Sequence, residues 1–414
     1  MPDGLDGGLA AARWQHMAPA LRYRNFRLFW SGQVVSIIGT SLQVVAEGWL
    51  IYRLTGSTFW LGMVGFLALI PVVPISFLGG VLIDRFPRRK LILATQIGLL
   101  IQSAVFGLLA LSARLQLWHI ILLYSAFGAL LAVDHPARRA FLVELVDREA
   151  LANAVALNGA VFNIASFVGY AASGFLIATI GAGGTMLTNA ASYLATIAAL
   201  LAIHVPDTRH DTSSTPLSAA WKEGIEALLR QPVMIGVIAL MAVVGGLAYP
   251  VTGMMPALAA EVLGTGAVGL GLLWAASALG AVIGTVVVAR VGVRRRGKTL
   301  TLASCLLPML VFGVSRAKSM PAAAVMLVAV GMGLLVLQSL AITLVQVNIP
   351  DRIRGRVMSL YSQIHAGSDT ASNMLVGAVA TKAGLPLTLA LAALAALVFA
   401  AVWSAALPAV RRLD

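Results

Sequence analysis

Gly79-Gly80-Val81-Leu82-Ile83-Asp84-Arg85-Phe86-Pro87-Arg88-Arg89-Lys90 places one acid and four bases within seven residues, between two long apolar runs. Thirty uncharged residues precede the charged stretch (54–83) and twenty-three follow it (91–113). Each run exceeds the roughly 20 apolar residues with which a helix crosses a bilayer. The charged stretch is therefore a tight hairpin at one membrane face, and its excess of Lys and Arg assigns that face to the cytoplasm.

The rest of the chain agrees. Hydrophobic residues make up 59% of its 414 residues, charged residues 11%, and mean hydropathy is +0.91. That is the composition of an integral membrane protein, not of soluble domains. The net charge of +13 does not point to nucleic acid, because the bases are dispersed over loops rather than gathered on one face. Cys305 is the one cysteine, which excludes an intramolecular disulfide and a zinc cluster. Residues 1–27 carry Arg13, Arg22, Arg24 and Arg27 without an apolar core, so no secretory signal peptide is expected.

Uncharged runs predict twelve spans, near 28–52, 57–83, 91–113, 115–133, 151–180, 185–203, 232–260, 266–289, 299–315, 320–349, 357–381 and 385–407. Gly181-Ala182-Gly183-Gly184 reads as the turn between the fifth and sixth. With the N-terminus inside, 24 of the 29 Lys and Arg fall in cytoplasmic segments, which places both termini on the cytoplasmic side of the plasma membrane. A shift of 203 residues maps Gly128 onto Gly331, Leu157 onto Leu360, Gly174 onto Gly377 and Gly181 onto Gly384. The fold expected is all-α, with twelve transmembrane helices in two six-helix pseudo-repeated bundles. Residues 1–203 form the first and 232–414 the second. Residues 204–231 make a cytoplasmic linker whose stretch 216–229 has the apolar spacing of a surface helix.

Gly80, Leu82, Asp84, Arg85, Arg88 and Arg89 resemble the G-x-L-x-D-R-x-G-R-R loop between the second and third helices of major facilitator transporters, with Pro87 at the usual second glycine. Further stretches narrow the likeness: 25–33 (NFRLFWSGQ), 49–57 (WLIYRLTGS), 134–141 (DHPARRAF) and 354–361 (RGRVMSLY). Together they resemble the transmembrane secretion effector branch, which includes drug and siderophore exporters. The resemblance implies parallel halves with a site between them and export by proton antiport. It also implies a conformational latch of Gly80, Asp84, Arg85, Arg88 and Arg89, with Asp84 pairing Arg138 or Arg139 at the end of span four. The chain departs from relatives at 169–174, where Tyr170 replaces the helix-kinking proline of the antiporter motif.

No metalloprotease, P-loop or nucleophile-elbow pattern is present, so neither an enzyme nor a metal or cofactor is expected. Charges within spans are costly and hence functional candidates. Asp369 lies near mid-span, with His365 one turn before and Asn373 one turn after on the same face. Glu47 has two readings: a cavity-facing acid above Gln43, or an outer residue reaching the external interface. Asp369, Glu47 and His365 are the proton-coupling candidates. Gln43, Asn158, Asn163, Gln338 and Asn373 are cavity candidates, with Gln96 and Asn189 as weaker ones. Two acids and no base inside the spans favour a cationic or neutral amphipathic cargo over an anion. The partners expected are that small molecule, protons and lipid, for a monomer. The alternatives are a facilitator or importer, or a non-transporting membrane scaffold or receptor.

Overall fold

The computed structural model describes residues 19–205, 225, 226, 228–290 and 295–413, with the side chains of 76–81, 83, 84, 352 and 412 outside that description. The linker stretch 216–229 therefore lies mostly outside the described residues. Hydrocarbon offers no hydrogen bonds to a backbone, so apolar runs close theirs internally as helices. The N-terminal half comprises α1 (Arg24–Thr55), α2 (Thr58–Arg85), α3 (Arg88–Leu111), α4 (Leu117–Leu142), and α5 and α6 within the helical run Arg148–Ala202. The C-terminal half comprises α7 (232–262), α8 (Gly266–Arg290), α9 (Arg296–Arg316), α10 (Met320–Asn348), α11 (Asp351–Ala383) and α12 (Leu385–Ala406).

Ten helical runs among the described residues are by themselves long and apolar enough to cross a membrane. The first reason the number becomes twelve is that Arg148–Ala202 is two spans. Gly181 leaves helical geometry at φ 73°, ψ 168°. The chain reverses there, because both ends of the run meet the start of α1: Tyr23 donates to Asp147 (2.8 Å) and Asn25 to the His204 carbonyl (3.1 Å). One glycine makes the turn, and Ala182-Gly183-Gly184 are already helical, shorter than the four-residue turn expected. The second reason is α11, too polar to be selected for apolarity but 33 residues long and packed along α2.

The halves repeat one plan. α2 packs on α4 as α8 packs on α10, and α3 on α6 as α9 on α12. Gly384 turns the chain between α11 and α12 at φ 82°, ψ 149°, the counterpart of Gly181. A side chain there would be strained, which is why glycine stands at both positions. Between halves, α5 packs on α8 and α11 on α2. These contacts are close because Gly174 lies against the backbone of Ala267 and Val268, and Gly377 against that of Thr58.

α4 departs from expectation at its end. It was expected to end at 133, before the first charge, but it continues through Pro136 to Leu142. Asp134 and Arg138 therefore sit within the helix rather than in a loop. α7 is also irregular, with wide π-type turns at Met241–Gly245 and Leu258–Val262.

Candidate functional site

Asp369 is 18 residues into the 33-residue α11, near its middle. Its Oδ2 lies 3.0 Å from His365 Nδ1, as the one-turn spacing allows, and the two side chains are 13% and 17% exposed. The other imidazole nitrogen, Nε2, meets the amide nitrogen of Gln338 on α10 at 2.7 Å. Asp369 Oδ1, Asn373 Oδ1 and the Tyr361 hydroxyl are buried without a hydrogen-bond partner among the described residues. Asn373 fits because Gly253 of α7 leaves room for its amide. Acid, imidazole and two amides thus share one face of the C-terminal half.

Glu47 does not reach the external interface; it is 1% exposed inside the N-terminal half. Gln43, one turn before it, donates to its Oε1 at 2.7 Å and to Gln102 of α3 at 3.2 Å. Asn189 of α6 donates to the Gln43 side-chain Oε1 and lies 3.3 Å from the Tyr193 hydroxyl, which in turn lies 3.3 Å from Thr40. Glu47 Oε2 has no hydrogen-bond partner among the described residues.

Aromatic groups lie near each of the two acids. Tyr124 of α4 is within electrostatic reach of Glu47, Tyr170 and Tyr249, and Tyr249 of α7 within reach of Asp369 and Tyr170. Tyr170 packs across the halves on Trp274 of α8, ring centroids 4.9 Å apart. Sequence reading noticed Tyr170 only as a missing proline and did not single out Tyr124, Tyr249, Tyr361 or Trp274. The signal available was a polar-tipped ring inside an otherwise apolar run.

A cavity of about 620 Å³ opens between α1, α3, α4, α5 and α6, with Gln33, Asp134, Arg138, Asn158, Asn163 and Tyr193 in its wall. Asp134 is buried and fully engaged: Thr95 donates at 2.7 Å, Gln96 at 3.0 Å, and Arg138 pairs with it at 2.5 Å. Of the two cavity asparagines, Asn163 also donates to Thr285 of α8 at 3.1 Å, across the halves.

The hairpin arginines bind within their own half. Arg88 pairs with Glu144 (2.9 Å) and donates to the Ala140 carbonyl (3.0 Å), while Arg89 donates to the Leu200 carbonyl (2.7 Å). Arg85 and Arg139 are exposed. The environments of Gly80 and Asp84 lie outside the described residues, and so does the expected pairing of Asp84 with Arg138 or Arg139.

The profile of the family described as transmembrane secretion effector matches residues 15–414. The chain is 28% identical over 355 residues to the enterobactin exporter EntS of Shigella boydii serotype 18 (strain CDC 3083-94 / BS512), which spans 85% of this chain and 84% of that protein. It is 25% identical over 184 residues to the staphyloferrin A transporter of Staphylococcus aureus (strain NCTC 8325 / PS 47); that match spans 44% of this chain and 46%, under half, of that protein. A bacterial homolog of the human lysosomal transporter Spinster, inward-facing and unoccupied, has a similar structure: TM-score 0.71 at 14% identity, over 94% of this chain and 97% of that one. A POT family transporter in complex with 5-aminolevulinic acid gives 0.74 at 10% identity, over 94% and 97%. At such identities the likeness to these structures is one of fold.

Proposed function

The chain belongs to the transmembrane secretion effector family of the major facilitator superfamily, and from that premise we propose that it exports small amphipathic molecules, cationic or neutral, in exchange for protons by alternating access. It is a multi-pass membrane transporter of small molecules, not an enzyme. The observation that carries the finer reading is the contact of Asp369 with His365 at mid-helix in α11. A carboxyl beside an imidazole at that depth has no packing role that an apolar pair would not fill at lower desolvation cost. Glu47 is the second acid. Arg138 proves to lie inside a helix, against the expectation of no base there, but its pairing with Asp134 leaves the sign of the interior unchanged. The cargo named for the EntS relative, enterobactin, makes siderophores the first class to try beside lipophilic cations.

In this reading Asp369 takes a proton while the site faces outward. Inward opening releases the proton, and the re-formed carboxylate draws the next cargo from the cytoplasm. The test uses the full chain in liposomes with an imposed pH gradient, with ethidium and enterobactin as probes. Asp369→Asn is expected to abolish gradient-driven movement and to retain exchange without a gradient. Wild-type rates in both Asp369→Asn and Glu47→Gln would remove these acids from coupling, and gradient-independent flux in the parent would leave a facilitator.

The termini and the 204–231 linker are assigned to the cytoplasm on the 24-of-29 distribution of bases, with the halves at 1–203 and 232–414. An Arg412→Cys thiol in a Cys305→Ser background is expected to resist impermeant reagents in intact cells. Rapid labelling reverses the orientation.

A further inference from the structure

His365 has a polar neighbour at each ring nitrogen. Nδ1 faces Asp369 Oδ2 at 3.0 Å, within α11, while Nε2 faces the Gln338 amide nitrogen of α10 at 2.7 Å. A neutral imidazole has one donor and one acceptor nitrogen, and each partner selects which is which. The carboxylate accepts only, so the proton belongs on Nδ1. Nε2 is then the lone-pair nitrogen, and the amide N–H₂ of Gln338 donates to it. A second proton has one place to bind, Nε2, and once there it needs an acceptor. Gln338 supplies that acceptor by turning its amide through half a revolution to present Oε1.

We propose that Gln338 is a positioning residue for proton coupling: it sets the tautomer of His365, and its amide turns over when His365 gains or loses a proton at Nε2. This rests on the coupling reading of Asp369 given above. The step balances, since water delivers the proton to Nε2, the imidazole becomes imidazolium while Nδ1 stays beside Asp369 Oδ2, and release returns the proton to water. Gln338 is exposed, so the amide has room to turn.

The other titratable or charged groups around the ring are few. Tyr361, ring centroid 6.3 Å away, and Arg356 lie on α11 itself, and Tyr249 approaches Asp369 from α7. The packed stretches of α10 and α12 contain no titratable residue, and α2 has Asp84 and Arg85 only at its far end.

The deciding measurement needs no cargo. The full chain, labelled with ¹⁵N-histidine and held in lipid nanodiscs, is titrated by NMR, with His365→Gln identifying the resonance. The neutral form is expected to carry its proton on Nδ1. Gln338→Leu removes the partner of Nε2, which matters most to the charged ring, and is expected to move the His365 midpoint to lower pH by about one pH unit, a tenfold change in occupancy. Gln338→Glu offers a carboxylate and is expected to move it to higher pH. Opposite displacements cannot come from misfolding, and a packing role would move neither. An unmoved midpoint in both variants, or a neutral ring protonated on Nε2, overturns the proposal. Retention of gradient-driven efflux by Asp369→Asn is a separate result, and it would fail the coupling reading while leaving the tautomer and midpoints as measured.

Discussion

Asn189 joins α6 to α1 through the Gln43 side-chain Oε1 and so stands behind the amide that donates to Glu47. It is fully buried, and its removal strands polar atoms that have no water to turn to. Asn189→Leu keeps the volume and is expected to cost on the order of 1–2 kcal/mol of stability, within the range for interhelical bonds in membranes. Asn158 is the control, since it lines the cavity wall and has no hydrogen-bond partner among the described residues. Thermal unfolding in detergent is expected to show a lower midpoint for Asn189→Leu and an unchanged one for Asn158→Leu. Equal midpoints would mean that the amide network does not hold the half together. Asp134 is the converse case, an acid made tolerable at depth by Thr95, Gln96 and Arg138 together.

Helices in this molecule end where the backbone demands it rather than where charge begins. α4 runs on past Asp134 because that carboxylate is satisfied, whereas the Arg148–Ala202 run turns at Gly181 because φ 73° is available to glycine. Gly384 closes α11 in the same left-handed region, at φ 82°. Gly384→Ala is expected to cost about 1–2 kcal/mol, the strain of an L-residue there. Gly367 in the same helix has ordinary geometry and nothing within 4 Å of an added Cβ. Gly367→Ala is therefore expected to gain up to about 1 kcal/mol. Unfolding midpoints that move in opposite directions bear this out; a common direction would mean the turn conformation is not held. α11 shows the same principle in composition, since its polar face is covered by α2, α7 and α10 rather than by lipid.

At the scale of the whole molecule, the contacts between the halves include a group at the end away from the termini. Tyr52 of α1 donates to Glu261 of α7, Thr58 of α2 donates to the Gly377 carbonyl at 3.0 Å and lies 3.2 Å from Thr381 of α11, and Gly174 of α5 abuts α8. The Thr58–Thr381 contact is short enough to be replaced by a cross-link. In a Cys305→Ser background, Thr58→Cys with Thr381→Cys is expected to oxidise readily, to stop transport, and to recover on reduction. If transport continues while the pair is oxidised, this seam does not open during the cycle. The same pair reports on the proposed latch. Asp84→Asn weakens closure at the terminal end and is expected to raise the cross-linking rate; an unchanged rate would leave Asp84 without a part in the conformational balance.

Sequence by itself determined the membrane class, the twelve spans and the pseudo-repeat. Desolvation cost accumulates along contiguous residues, and a shift of 203 that carries Gly181 onto Gly384 needs no third dimension to be seen. It also determined that His365, Asp369 and Asn373 share a face, because helical spacing alone brings i and i+4 together. The Asp134–Arg138 pair was not legible, since hydropathy ends the span at 133 and its burial depends on Thr95 and Gln96 nearly forty residues earlier. Tertiary structure decided that Glu47 is interior, through amides on α3 and α6 that hydropathy counts as mere interruptions. It alone set Gln338 against His365 and gathered Tyr124, Tyr170 and Tyr249 near the acids. Contacts between helices are chosen by packing across the bilayer, and a linear pattern carries no record of which faces will meet.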